Sequence, residues 1–313
     1  DEQCKILTYQ SHYINYGGEY DEQFTNGIVT SDGGYIAVGY TSSLDSNDST
    51  FSQGNLIVKF DASGNIIWQS LFDEYKGGYF ADVIEIEENG KTFYVAVGRV
   101  AEFNDNVSGA FVPLIVKYDE TGEIVDKKIF LDYATFYMIE QIEDGYILSA
   151  NIGDNHEGEI YENRINEHKG SNDGAIIKLN NNFEVEWSSF FGGTNSEIFS
   201  NFIITDFGYV VVGQGCSNSD DMADIQVDND DWVYDSIILS YDKEGNVLNK
   251  NAFGSSGNDI FIDLIEISDG YIVVGNAGNN DLDLADTGKS GAIIVKYDKS
   301  LNFEKYIVVD NNS

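Results

Sequence analysis

Carboxylates dominate the chemistry open to this chain: 54 Asp and Glu stand against 17 Lys and Arg, 3 His and 2 Cys. Two loops gather them. SNSDDMADIQVDNDDWVYD, beginning at Ser217, holds Asp220, Asp221, Asp224, Asp228, Asp230, Asp231 and Asp235, and NNDLDLADTG, beginning at Asn279, holds Asp281, Asp283 and Asp286. Calcium takes six to eight oxygens, which closely spaced aspartates supply. Asp220, Asp224, Asp228, Asp230, Asp281, Asp283 and Asp286 are therefore the candidate metal ligands. Neither loop has the glycine and terminal glutamate of an EF-hand, and a solvated acidic loop has the same composition. Trp232 lies in the first loop beside Asp230 and Asp231 and has no counterpart elsewhere in the chain. An aromatic face with a polar rim is how many sugar sites are built, so these three are the candidate ligand contacts.

Other constellations are weaker. Asn26, Asp82, Asn201 and Asp263 each stand two residues after a phenylalanine. Paired carboxylates on such strands could serve a glycoside hydrolase, but a residue repeated at one position more often satisfies local backbone groups. His156 and His168 share a glutamate-rich segment at a spacing of 168 − 156 = 12, which fits no short zinc motif, and the segment is expected to form the only helical turns of the chain. No Ser–His–Asp order, Cys–His pair or phosphate loop is present, so no catalytic residue is assigned. No motif requires a cofactor, and calcium is the one candidate.

The elements that position these residues come from a repeat. DGGYIAVG, KTFYVAVG, DGYILSAN, FGYVVVGQ and DGYIVVGN carry Tyr35, Tyr94, Tyr146, Tyr209 and Tyr271. A second phrase follows each copy, as in LIVKFDASGN from Leu56 and LIVKYDETGE from Leu114. A run beginning at Phe24, Phe80, Phe136, Phe199 or Phe261 precedes it, and a run such as IIWQSLF closes the unit. Each unit reads as four short strands, a to d, bounded by Gly, Asp and Asn turns. The repeat predicts an all-β chain: a β-propeller of about five four-stranded blades, at 20–75, 79–133, 134–194, 197–257 and 260–309, within a single domain 1–313. Residues 5–16 align with strand d and form one extra N-terminal strand, with Tyr9 where Trp68 and Trp187 fall.

The GYIVVG phrase, the VKYD..GN..W phrase and the turns FGGTNSEIF from Phe191 and FGSSGNDIF from Phe253 resemble the SBBP-type repeats of bacterial secreted proteins over residues 5–309. Uneven unit lengths and Met138, where the other copies have Asp or Asn, depart from that pattern. The resemblance implies an extracellular or envelope location and a non-catalytic role, and it names no ligand.

Strand order places the short a–b and c–d turns at one end and the d–a turns with the b–c connections at the other. The b–c connections, 41–54, 100–112, 151–173, 215–234 and 276–290, are expected to be long, dissimilar loops. Varied loops on a repeated scaffold concentrate function. The expectation is a secreted or surface-attached propeller binding a glycan or protein through that end. A propeller hydrolase or lyase and an architectural module of a larger envelope protein are the alternatives. The net charge of −37 repels nucleic acid and anionic lipid headgroups. No apolar run is long enough to insert into a membrane. The start DEQCKIL does not read as a signal peptide, and Asp-Glu-Gln before Cys4 is not a lipobox. Cys4 and Cys216 fall at opposite ends of their strands, so two unbridged thiols are expected.

Overall fold

In the computed structural model, residues 16–43, 53–75, 77–104, 107–153, 158–225, 232–279, 281–285 and 290–309 are described. The c–d turns show how the sequence sets the elements. Asp61 accepts the backbone N–H groups of Ser63 and Asn65, each at 2.8 Å, and Gly64 takes a φ of +83°. Asp119, Asn180, Asp242 and Asp298 close their turns the same way. In two of them the left-handed position carries Phe183 or Leu301 instead of glycine, and both side chains are buried.

The described residues form twenty strands in five four-stranded antiparallel sheets, each pairing in chain order. Sheet 1 is β1 (Glu22–Val29), β2 (Tyr35–Thr41), β3 (Gly54–Phe60) and β4 (Ile66–Phe72). Sheet 2 is β5 (Gly78–Glu88), β6 (Lys91–Asn104), β7 (Val107–Asp119) and β8 (Ile124–Ile129). Sheet 3 is β9 (Ala134–Ile142), β10 (Gly145–Gly153), β11 (Asn172–Asn180) and β12 (Val185–Phe191). Sheet 4 is β13 (Glu197–Ile204), β14 (Gly208–Gly215), β15 (Asp235–Asp242) and β16 (Val247–Phe253). Sheet 5 is β17 (Ile260–Ile267), β18 (Gly270–Ala277), β19 (Gly291–Asp298) and β20 (Phe303–Val308). The extra strand expected at 5–16 lies outside the described residues except for Tyr16.

The repeated Phe marks a β-bulge. In every first strand the register slips between the Phe and the residue two positions on, as at Phe24/Asn26 and Phe80/Asp82. The bulge explains the glycine that ends the YxxVG phrase. A Cβ on Gly39, Gly98, Gly213 or Gly275 would sit 1.9 to 2.0 Å from the carbonyl oxygen of the residue before the Phe. The polar residue after the bulge then takes up freed backbone groups. Asn26 Oδ1 accepts from the N–H of Gly27 at 2.7 Å, and Asp263 Oδ1 from Leu264 at 2.8 Å.

Sheets stack through two unlike faces. One is aromatic, carrying the Phe of the first strand and the Tyr of the second; the other is aliphatic. The core cluster between sheets 1 and 2 joins Ile36, Val38 and Ile57 to Phe80, Tyr94 and Tyr118. Equivalent clusters join sheets 2 and 3, 3 and 4, and 4 and 5. Burying each such side chain stabilises by about 1.5–3 kcal/mol, so the junctions hold the array together. At each junction the last strand also packs on the next sheet's c–d turn. Trp68 lies over Gly122 and Trp187 over Gly245; a Cβ on either glycine would approach the indole to 2.6 or 2.7 Å. At the other two junctions a small or polar residue, Asp126 or Asn249, holds the tryptophan's register position, and the bulk comes instead from Phe183 or Leu301 across the junction.

Two expectations need correction. Residues 100–112 are not an open loop: β6 and β7 continue the ladder through Ala101↔Phe111 and Phe103↔Ser108, as the β-prone Val and Phe residues of this stretch favour. The guanidinium of Arg99 lies 3.8 Å from the Phe111 ring centroid and 4.8 Å from that of Tyr79, which anchors the base of this hairpin. The segment around His168 does form a helical turn, at Glu159–Glu162, but it is not alone: 3-10 turns occur at Asp220–Met222 and Leu282–Leu284.

Candidate binding face

The end that carries the b–c connections is built from carboxylates acting on backbone. The d–a turn before sheet 4 begins Phe191-Gly192-Gly193, and that before sheet 5 begins Phe253-Gly254-Ser255. Glu197 Oε2 accepts from Gly193 N at 2.8 Å, and its Oε1 from Ser217 N at 3.1 Å. Asp259 does the same work one sheet on, accepting from Ser255 N at 2.6 Å and Gly278 N at 2.9 Å. Each residue therefore ties its own d–a turn to the start of its b–c segment.

The short 3-10 turns then dock on these linkers. Asp221 N donates to Gly192 O at 3.2 Å, and Asp221 Oδ2 accepts from Gly192 N at 3.3 Å. Asp283 repeats both contacts with Gly254, at 3.3 and 3.2 Å. Met222 and Leu284 plug into the core beneath. In sheet 3 the roles reverse. There Asp132, from the linker, accepts from Tyr161 N at 2.9 Å and Ile160 N at 3.2 Å, and Ile160 is the plug.

A third buried carboxylate completes two of these junctions. Asp173 opens β11 and Asp235 opens β15. A Cβ on Gly192 would lie 2.2 Å from Asp173 Oδ1 and 2.7 Å from Glu197 Oε2, so only glycine fits between them. Burial pushes Asp173 up to about 6, with the nearby Asp221 charge adding to it. Glu197 is likewise pushed up to about 6, by burial first and by Asp173 as a lesser cause. Burial raises Asp259, Asp283 and Asp132 as well. Asp132, Asp173, Glu197 and Asp259 are buried and clamp loops, whereas Asp283 stays exposed.

The residues singled out from the sequence are scattered over this end. Asp281 accepts from Ser256 N at 2.8 Å and Ser256 Oγ at 2.6 Å, and those bonds hold its carboxyl below the usual range. Asp224 pairs with Lys250, which lowers it in the same way. Asp283 is the backbone clamp just described. Asp220 begins its 3-10 turn with a φ of +51°. Asp228, Asp230, Asp231 and Asp286 lie outside the described residues. Among the described residues no group of three or more His, Cys, Asp or Glu side chains has the arrangement of a metal site. Trp232 is 79% exposed. His168 is placed by packing, with Nε2 3.2 Å from Ile152 O and its ring edge-on to Phe190, while His156 lies outside the described residues. Cys216 is buried and Cys4 is not described.

The repeated polar residues of the first strands form links between sheets. Asn26 Nδ2 donates to Asp82 Oδ1 at 2.7 Å, and Asp82 Oδ2 accepts from Ile139 N at 3.0 Å. Asn201 Nδ2 donates to Asp263 Oδ1 at 2.8 Å. Burial raises Asp82 to about 6 against these bonds. Sheet 3 has no such link at Met138, which packs on the core between sheets 3 and 4.

The clamps escaped the sequence reading, although a signal was there. Asp173 and Asp235, Glu197 and Asp259, and Asp221 and Asp283 are each separated by 62 residues (235 − 173, 259 − 197, 283 − 221), as are Tyr209 and Tyr271 (271 − 209).

No family model and no curated protein matches the chain. Among solved structures, a tryptophan-to-alanine variant of the apocarotenoid oxygenase of Synechocystis is similar at 11% identity and a TM-score of 0.39, over 80% of this chain and 57% of the other. The biofilm matrix protein Bap1 of V. cholerae is similar at 11% identity and a TM-score of 0.22, over 90% of this chain and 60% of the other. The chain thus spans less than two thirds of either protein, and likenesses this loose carry no argument about what it does.

Proposed function

We propose that the five sheets are blades of a β-propeller and that the protein is a non-catalytic binding scaffold, secreted or surface-attached. It engages a glycan or a protein through the end that carries the b–c connections. The propeller reading is supported by successive first strands packing on one another, β1 on β5, β5 on β9, β9 on β13 and β13 on β17, as strands around an axis would. The location rests on the resemblance to SBBP-type repeats alone.

One observation carries the binding role: Trp232 holds a large ring in solvent, 79% exposed. Trp232 stands three residues before β15, which holds the chain on its C-terminal side. Exposed aromatic rings are common binding anchors because they bring a large contact area at little cost in conformational entropy.

The test is binding to glycan and protein arrays, followed by Trp232→Ala on every hit. A hit weakened about tenfold or more, with unchanged thermal stability, is expected for a ring that contributes roughly 1.4 kcal/mol or more. Hits indifferent to the substitution would move the site elsewhere, and the absence of any hit would favour the architectural reading.

A further inference from the structure

Residues that shape this fold recur at the same position in sheet after sheet, but one cluster at the end that carries the b–c connections does not. Arg99 on β6 pairs across the ladder with Tyr79 on β5. At that place the other sheets pair Gln23 with Tyr40, Thr135 with Asn151, Ile198 with Gln214 and Ile260 with Asn276. Phe111 reaches the guanidinium from β7, with its ring centroid at 3.8 Å, and the Tyr79 ring lies 4.8 Å away. Tyr137 approaches from β9, at a position held elsewhere by Thr25, Ala81, Ser200 and Ile262. Burial and the Tyr79 phenol raise the Tyr137 phenol above its ordinary range, and the Arg99 charge works against them. All four side chains of the cluster are half-buried.

Arg99 has aromatic company and no acid. The chain's other arginine, Arg164, is held by Glu167 at 3.1 Å, whereas among the described residues no carboxylate pairs with Arg99 and its Nε is buried without a hydrogen-bond partner. Ring faces attract the charge but leave the in-plane N–H donors to other partners. An unmatched buried donor costs stability, and an uncharged side chain of similar length would pack on Tyr79 and Phe111 without that cost. In a chain with 54 Asp and Glu, this exception is placed for an acid from outside.

We infer that Arg99, Tyr79, Phe111 and Tyr137 form a receptor for a sugar acid, a single carboxylate carried on a hydroxyl-bearing ring. The guanidinium fork matches a carboxylate through two parallel N–H···O bonds. The Tyr79 and Tyr137 hydroxyls exchange hydrogen bonds with the sugar's own, and the aromatic rings cover its C–H face. The net charge of −37 repels a polyanion, so the fitting glycan carries its acid on a terminal unit of an otherwise neutral chain. This rests on the reading of the b–c end as the binding end and narrows its ligand to one class.

Because the chain has two arginines, a ¹⁵N spectrum of the arginine Nε–H groups holds two signals, and Arg164 is the internal control. Titration with sodium glucuronate in about 50 mM sodium chloride is expected to shift the Arg99 signal to saturation with a Kd on the order of 1 mM, while Arg164 stays in place. Glucuronamide, which lacks the charge, and N-acetylglycine, which offers a peptide-like carboxylate without the sugar, should each bind about tenfold more weakly or worse. Tyr137→Phe keeps the ring and both signals and should weaken glucuronate by about two- to tenfold at an unchanged melting temperature. Arg99→Lys assigns the signal by removing it and should abolish glucuronate protection against thermal unfolding. No saturable shift up to about 50 mM, equal shifts at Arg164, a match by either analogue, or indifference to Tyr137→Phe would each overturn the inference. Array hits that depend on Trp232 test the scaffold reading separately, and they stand whether or not Arg99 responds.

Discussion

Gly122 offers a clean measurement of what one inter-sheet contact contributes. Its φ is +86°, and a Cβ there would lie 2.6 Å from Trp68 Cε3 of the preceding sheet. Gly33 has nearly the same backbone, φ +84°, with nothing within 4 Å of a built Cβ. Gly33→Ala therefore reports the left-handed conformation alone, about 1–2 kcal/mol. Gly122→Ala adds the collision of a methyl group with an indole ring held between sheets. Trp68 cannot slide away freely, because its Nε1 donates to Glu120 O at 3.0 Å and its ring stacks on Tyr118. Overpacking of this kind costs about 1–3 kcal/mol, so Gly122→Ala should destabilise by about 2–5 kcal/mol in all. Urea unfolding of the two variants, of Trp68→Ala and of Trp68→Ala with Gly122→Ala completes the cycle. In the double variant the alanine methyl fills part of the space the indole vacates, so its loss should be smaller than the sum of the single losses by about 1–3 kcal/mol. Equal losses for Gly122→Ala and Gly33→Ala, or additive losses in the cycle, would refute the account of the junction.

Two further outcomes follow from the acidic end. Asp82, Asp173 and Glu197 stand near 6 in the folded protein, above the ordinary carboxylate range, so ionising them weakens folding. Their stabilisation is complete below about pH 4 and disappears as pH rises through 6, whereas Asp32, held well below the ordinary range by its bonds to Lys59 and Thr30, stabilises only above about pH 4. Denaturation midpoints should therefore be higher at about pH 5 than at about pH 7.5, by on the order of 1–3 kcal/mol, and Asp173→Asn with Glu197→Gln should flatten that limb; an unchanged pH profile in the double variant would rule the pair out as its source. If the loop around Asp228 and Asp230 ligates calcium, the ion should raise the melting temperature in about 150 mM sodium chloride, and Asp228→Asn with Asp230→Asn should abolish the gain. Asp281→Asn should instead lower stability equally with and without calcium, since both carboxyl oxygens already serve Ser256; identical melting curves in calcium and in sodium of matched ionic strength would dismiss the metal.

The strands were legible because the features that make them are local and recur. Five copies of a Tyr phrase ending in small residues, each preceded by Phe and followed by an Asp- or Asn-led turn, fix four strands per unit without any knowledge of contacts. The same recurrence showed that Asn26, Asp82, Asn201 and Asp263 are structural, and their bonds across sheets bear that out. The hairpin from Lys91 to Asp119 was harder to read, because Gly109 and Pro113 suggest a loop while the pairing partners that keep the strand going lie on the facing strand. The acidic end was harder still. Composition cannot separate an aspartate that meets solvent from one that receives a backbone N–H, and Asp281 and Asp283 look alike in the sequence. One accepts from a serine and the other from a glycine, and both keep contact with solvent.

The division of labour among the carboxylates bears on how the end that carries the b–c connections could change in sequence without loss of fold. Asp221 and Glu197 fasten the b–c segment of sheet 4 at its base, and Asp283 and Asp259 that of sheet 5, to linkers whose glycines leave no room for a side chain. The described parts of the segments differ: one continues as a paired hairpin, one folds a helical turn around Ile160, and one carries Trp232. Sheet-to-sheet packing rests mainly on Phe, Tyr, Ile and Val of the strands, with Ile160, Met222 and Leu284 joining from the clamped turns. A change at the tip therefore perturbs neither the junctions nor the fastening. Apolar packing between the sheets and carboxylate-to-backbone bonds at their ends meet at Ile160, Met222 and Leu284, so the described residues outside these contacts can be substituted with little effect on the fold.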